Sequence, residues 1–315
     1  GTYLLPELSK THEVAVLLMP GERLRGLPPE EEKKYKIFRG NVTQPETLRE
    51  AARYPEAVVH AAGLIKALSN ADYDKVNHLG TANIARILSE ENPGLKLFLL
   101  FSSSAAGGVS TTLENPIRED MPADPIGPYG ISKLMAEKSL ERFTFKKTSF
   151  RITSVYGGGS SEHIEYFKMA RLRLSPRLGL GEKYFCMIHA RDLAKAVNRV
   201  VTNWSEAQPL YYLADGKIYS WTEVGVAVNA YYPGWKLPLA LPKWICYIAA
   251  FFVGLIAKLR RQPAVLDVEK MRLLLKTYIT CDSSRFRKQF PDFSFTPFSD
   301  GLRETYNWYK EHGWL

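Results

Sequence analysis

Apolar runs separated by stretches of helical spacing constrain this chain more than any other feature. "EVAVLLM" (13–19), "KYKIF" (34–38), "EAVVHAAG" (56–63), "KLFLLFSSS" (96–104) and "TSFRITSVYG" (148–157) are short, β-rich and bounded by polar or small residues. Between them, "RGNVTQPETLREAA" (39–52) reads as a turn then a helix, and 70–90 reads as one amphipathic helix. Strands that are apolar on both faces and alternate with helices predict an α/β fold with a parallel, doubly wound sheet. In such sheets ligands bind beyond the carboxyl ends of the strands. Those ends here are the small-residue loops "HAAG", "SSSAAGG" and "VYGGG". Residues 1–157 therefore read as a nucleotide-binding domain. The alternation loosens over 158–315, which reads as a smaller, mixed α/β substrate lobe with some segments returning to the sheet. Strands are expected near 187 and 210–215, and helices near 221–230, 242–260, 266–276 and 298–312.

With 315 residues, 45% of them hydrophobic, the chain can bury a sizeable core. Its net charge of +9 is dispersed, without the basic stripe and interleaved aromatics of a nucleic-acid binder. Cys186, Cys246 and Cys281 are scattered and form no C-x-x-C, which points to reduced thiols in a cytoplasmic compartment. The six histidines show no metal-ligand spacing, so no metal is expected.

Residues 128–133 read "PYGISK" and place Tyr129 and Lys133 at i and i+4, on one helical face. A phenol titrates near ~10 and is a poor base at neutral pH. An adjacent ammonium would pull that value down and make it an acid/base for an alcohol–ketone pair. Such chemistry needs a hydride carrier, which no side chain provides and a nicotinamide does. The Ser-rich end of "FSSSAAGG" offers a hydroxyl to hold the substrate oxygen.

These motifs together resemble the extended short-chain dehydrogenase/reductase family, near its hydroxysteroid dehydrogenase-like branch. The resemblance spans nearly the whole chain, from "RGNVTQPETL" and "VVHAAGLIKA" through "VNHLGTANI", "PIGPYGISKLMAEK" and "MIHARDLAKA" to "GLRETYNWYKEHGWL". It implies a Rossmann-type fold, NAD or NADP as cofactor, and Tyr129 and Lys133 as catalytic residues that also meet the cofactor. The orienting hydroxyl falls on Ser103 when the strand is aligned, whereas counting back from Tyr129 selects Ser104; Ser103 is preferred. Along the cofactor the resemblance places Asn41, Val42, Ala61, Ala62, Gly63 and Ile152, with Asn77 shaping the active-site helix. His189 and Asp192 match a structural motif.

The match departs at the dinucleotide fingerprint, whose glycine loop seats pyrophosphate at a helix N-terminus. Only Gly1, which resembles the third glycine, is present. The opening "GTYLLPELSK" reads as a helix already under way, so the first strand and the other glycines are expected upstream. Leu18 and Met19 stand where relatives carry the residues that choose between NAD and NADP, and Arg23 and Arg25 read as solvated loop residues. Ser154 replaces the asparagine by which nucleotide-sugar enzymes contact their substrate.

Ile245–Ala257 is an uninterrupted apolar run of 13 residues, closed by Lys258, Arg260 and Arg261. It is short for a membrane span. It fits a core helix, a lid over a greasy substrate, or a peripheral membrane contact. The expected activity is oxidation or reduction of an apolar, sterol-like small molecule. The alternatives are a nucleotide-sugar epimerase or dehydratase and a non-catalytic cofactor-binding scaffold. A homodimer through paired helices is compatible with the resemblance.

Overall fold

The computed structural model describes residues 1–24, 26–260, 262–264 and 266–315. Five of its strands follow the apolar runs: β1 (Ala15–Leu18), β2 (Lys36–Arg39), β3 (Ala57–His60), β4 (Leu97–Ser103) and β5 (Lys147–Ile152). A four-stranded parallel sheet runs in the order Leu210–Leu213, β5, β4, β3. The strand Leu210–Leu213 thus comes from the second half of the chain. β1 and β2 pair in parallel as a separate unit.

Strand β4 shows why the sheet is buried on both faces. Successive side chains of a strand point to opposite sides. Leu97 and Leu99 enter one core with Phe150, Tyr211 and the Ala196–Val200 face of the Ala190–Thr202 helix. Phe98 and Leu100 enter the other with Ile87, Leu88 and Ala136. Leu97–Leu100 are completely buried, whereas the residues of β1 and Ala57–Val59 of β3 are only half-buried. β4 is paired on both edges and covered on both faces; β1 and β3 are not.

The stretch expected as one helix over 70–90 is broken in the middle. Asn70–Tyr73 is capped by Ser69, a π turn follows over Asp74–Leu79, and the α-helix resumes at Gly80–Glu91. Hydrophobic spacing does not reveal such a turn, because it adds only one residue to the repeat.

The second lobe holds short strands with too few residues to show a period. Leu174–Leu178 pairs with Leu237–Leu241, and Tyr184–Phe185 is flanked by Tyr219–Ser220 and Tyr278–Ile279. Its core is aromatic, built on Tyr156, Phe167, Tyr219 and Tyr309.

The helix Gly127–Ser139 starts with Gly127 at φ +66° and Pro128 in its first turn, a residue whose ring pre-sets helical φ. It lies against the Ser104–Gly107 turn, where Ile126 N donates to Ala105 O at 3.1 Å. A Cβ on Gly130 would sit 2.4 Å from that same carbonyl oxygen. Gly130→Ala is expected to lower stability by about 1–3 kcal/mol, the range for an overpacked core. Calorimetry checks it, and an unchanged melting temperature would show that the helix can shift without cost.

Candidate active site

The carboxyl ends of β3, β4 and β5 open onto a cleft of about 840 Å³, which the helix Gly127–Ser139 closes from one side. Gly1, Ala61, Gly63, Ser103, Tyr129, Lys133 and Ile152 all line it. Ser103 is the last residue of β4 and caps the following turn, its Oγ accepting from Ala105 N at 3.2 Å. Its hydroxyl acts on the Tyr129 phenol in the direction that lowers its pKa. Ser104 also lines the cleft, but it begins the turn. Both serines line the cleft, and Ser103 is the one that acts on the Tyr129 phenol.

Electrostatics at the phenol differ from the expectation. Burial pushes the Tyr129 hydroxyl up to about 12; the Ser103 hydrogen bond pulls down, and the Glu162 carboxylate and Tyr73 push up. Lys133 is not among the groups that set this value. Its Nζ instead donates to Phe101 O at 2.9 Å. Its own pKa falls to about 8, because burial removes the water that would solvate an ammonium. In this structure the phenol holds its proton firmly.

Asn77 locks the site from beneath. Its Oδ1 accepts from Leu64 N at 2.7 Å, while its Nδ2 donates to Leu64 O and to Ser132 Oγ, both at 3.0 Å. Ser132 Oγ in turn donates to Tyr129 O at 2.8 Å. The π turn aims Asn77 at these partners, as π-bulges often do at functional sites. Gly63 lies so close that a Cβ would be 2.9 Å from Lys133 Nζ and 3.0 Å from Asn77 Oδ1.

Asn41, Val42 and Ala62 do not line the cleft, and neither does Asn77. Asn41 Oδ1 accepts from Thr43 N and Thr43 Oγ1, both at 3.0 Å. Val42 packs on Gly80, and Ala62 is exposed. Arg23 pairs with Glu32 on the surface, while Arg25 lies outside the described residues. Asp192 binds Thr296 through both carboxylate oxygens, and His189 is buried against Tyr3 and Tyr156.

Three groups escaped sequence reasoning. Glu137 forms a buried fork with Arg151 at 2.8 and 3.1 Å, also accepts from Ser102 Oγ, and lies one helical turn below Lys133. An arginine inside the apolar run "TSFRITSVYG" was the available signal. His163 touches Ser154 Oγ through Nε2 at 3.2 Å and Ser160 Oγ through Nδ1 at 2.8 Å; burial lowers its pKa to about 4. Glu162 pairs with Lys270 at 2.6 Å where both line the cleft. Among the described residues no cluster of metal-binding side chains occurs.

A parallel doubly wound sheet that carries a Tyr–Lys pair and a serine at its strand ends defines an extended short-chain dehydrogenase/reductase. Residues 1–214 match the model of the NAD dependent epimerase/dehydratase family, and the chain belongs to that family. It is an NAD-dependent enzyme of that type. Ceramide reductase of Caulobacter vibrioides is 28% identical over 283 residues, covering 89% of this chain and 82% of the relative. UDP-glucose 4-epimerase of Vibrio cholerae is 25% identical over 206 residues, covering 60% and 61%. The Bordetella bronchiseptica enzyme WbmG, crystallised with NAD and UDP, superposes with a TM-score of 0.75 at 21% identity, covering 99% of this chain and 92% of that one. The cleft's volume suits a large ligand, and Gly1, Ala61, Gly63 and Ile152, which the family resemblance places along the dinucleotide, line it.

The buried lysine gives a test of this geometry. Its folded pKa of about 8 lies below the ordinary 10.5. Between those values the unfolded chain holds more protons, so wild-type stability should rise with pH across that window through this group. Lys133→Met removes the effect. Its stability relative to wild type should be greatest below pH 8 and fall by up to about 3 kcal/mol by pH 10.5. Urea melts at a series of pH values measure it, and a pH-independent difference would contradict the burial.

Proposed function

We propose that this enzyme interconverts a secondary alcohol and a ketone on an apolar, sterol-like or other lipid substrate at a membrane surface, with residues 245–257 as the contact. The observation that carries the chemistry is that Tyr129, Ser103 and Lys133 line one cleft. Bound NAD would supply hydride exchange; Gly1, Ala61, Gly63, Lys133 and Ile152 are the cleft residues that would hold it.

With a pKa of about 12, Tyr129 is fully protonated at neutral pH and is poised as an acid. It gives its proton to the carbonyl oxygen as the ketone is reduced, and retrieves it in the reverse direction. Ser103 donates a second hydrogen bond to that oxygen and fixes its position. Lys133, with a pKa of about 8, is mostly cationic at pH 7 and lines the same cleft, where it would meet the cofactor. The Glu137–Arg151 pair and Asn77 hold the helix that carries both groups.

Tyr73, Tyr166, Phe185, Trp221, Leu273 and Leu274 give the substrate side an aromatic and aliphatic wall. That wall and the likeness to ceramide reductase favour a lipid over a nucleotide sugar. His163 occupies the Ser154 hydroxyl, so the position where nucleotide-sugar enzymes present an asparagine is already engaged. A nucleotide-sugar 4-epimerase or dehydratase is the second reading. It is favoured by the Vibrio cholerae relative and by the buried Lys183 ammonium in the cleft wall.

Tyr129→Phe should lower turnover by about 10²–10⁴-fold while leaving NAD binding unchanged. Steady-state kinetics with calorimetric NAD titration test this, and near-wild-type turnover would remove the tyrosine from the mechanism. Thermal-shift measurements should show stabilisation by sterol-like or sphingolipid ketones; stabilisation by UDP-sugars alone would select the second reading.

A further inference from the structure

The helix Lys243–Leu259 is apolar and largely exposed. Cys246 and Ala250 face inward and pack on Met271 and Leu275. The opposite face presents Trp244, Ile248, Phe251, Phe252, Leu255 and Leu259, of which Trp244 is 64% and Leu259 77% exposed. Their spacing follows the helical repeat, so they form one continuous stripe. A helix of 17 residues is about 26 Å long, short of the ~30 Å hydrocarbon core. Among the described residues no helix is long and apolar enough to cross a membrane.

Charge selects the occupant of this face. Between Glu223 and Asp267 the chain has no Asp or Glu, but it has Lys236, Lys243, Lys258, Arg260 and Arg261. Arg261 lies outside the described residues; Lys243, Lys258 and Arg260 are exposed at the two ends of the helix. An apolar stripe with cations at both ends complements an anionic lipid surface, where the stripe enters the acyl boundary and the cations meet phosphates. A second copy of the chain is a poor fit. Parallel or antiparallel pairing of two such helices brings basic ends together.

We infer that the Lys243–Leu259 helix lies in the interface of an anionic membrane and delivers substrate to the cleft from the lipid. The helix packs on Val268–Leu274, whose Leu273 and Leu274 line the cleft and which touches the helix bearing Tyr129. One short element therefore separates the lipid-facing stripe from the reacting groups. The docking stands on the helix itself, while its use in delivery rests on the apolar-substrate reading.

Flotation of the full chain with vesicles tests the docking. The chain should float with phosphatidylcholine–phosphatidylglycerol vesicles and far less with phosphatidylcholine alone. Phe251→Glu/Phe252→Glu should reduce the floated fraction by about tenfold or more, with an unchanged melting temperature. Lys258→Glu/Arg260→Glu, on exposed sites, should erase the preference for the anionic vesicles and provides a test should the first variant fail to fold. Failure of the wild-type chain to float with either vesicle, or equal flotation of the variants, would overturn the inference. So would a dimer in light scattering that the phenylalanine variant converts to monomers, since that assigns the face to a second copy. Flotation with no turnover of any lipid ketone would keep the docking and reject the substrate reading.

Discussion

The site depends on a helix that approaches two strand ends without a Cβ in the way. Gly130 lets the Tyr129 helix rest on the carbonyl of Ala105, and Gly63 lets Lys133 and Asn77 meet the loop after β3. Polar contacts then fix what close packing allows. Asn77 holds Leu64 on one side and Ser132 on the other, and Ser132 reaches the backbone of Tyr129 itself. These contacts join the segments after β3 and β4 and the Tyr129 helix into one frame.

Burial, more than pairing of charges, sets the chemistry of that frame. It raises the phenol, lowers the lysine, and drives the nearby His60 down to about 3. Each shift disfavours the charged form, as desolvation must. His163 obeys the same rule and is held neutral between two serines. At neutral pH this leaves the Tyr129 phenol protonated and the Lys133 ammonium mostly charged in the same cleft.

Much of this was legible in the sequence, for reasons that vary by residue. The run "KLFLLFSSS" announced a central strand because both of its faces are buried. Helical spacing put Tyr129 and Lys133 on one cleft wall but did not foretell that burial would raise the phenol. Counting left Ser103 and Ser104 open, and the structure puts both on the cleft, one ending β4 and the other beginning the next turn. The π turn around Asn77 hides inside an otherwise regular helical pattern. Asn41 and Val42 carried a family motif, yet the structure commits them to a local turn and to packing on Gly80. The strands of the second lobe, some of only two residues, have no period to read.

The π turn has a consequence for how this chain can change. It accommodates one residue more than an α-helix would over the same span. Removing a single residue there would restore regular winding while leaving the flanking segments nearly in place, because a π turn absorbs its extra residue locally. Such a helix would be locally more comfortable, yet its asparagine would point away from the Leu64 loop. The segment thus gives up local regularity for the alignment of two distant backbones, and a lineage that lost one residue here would keep its helix while losing the frame.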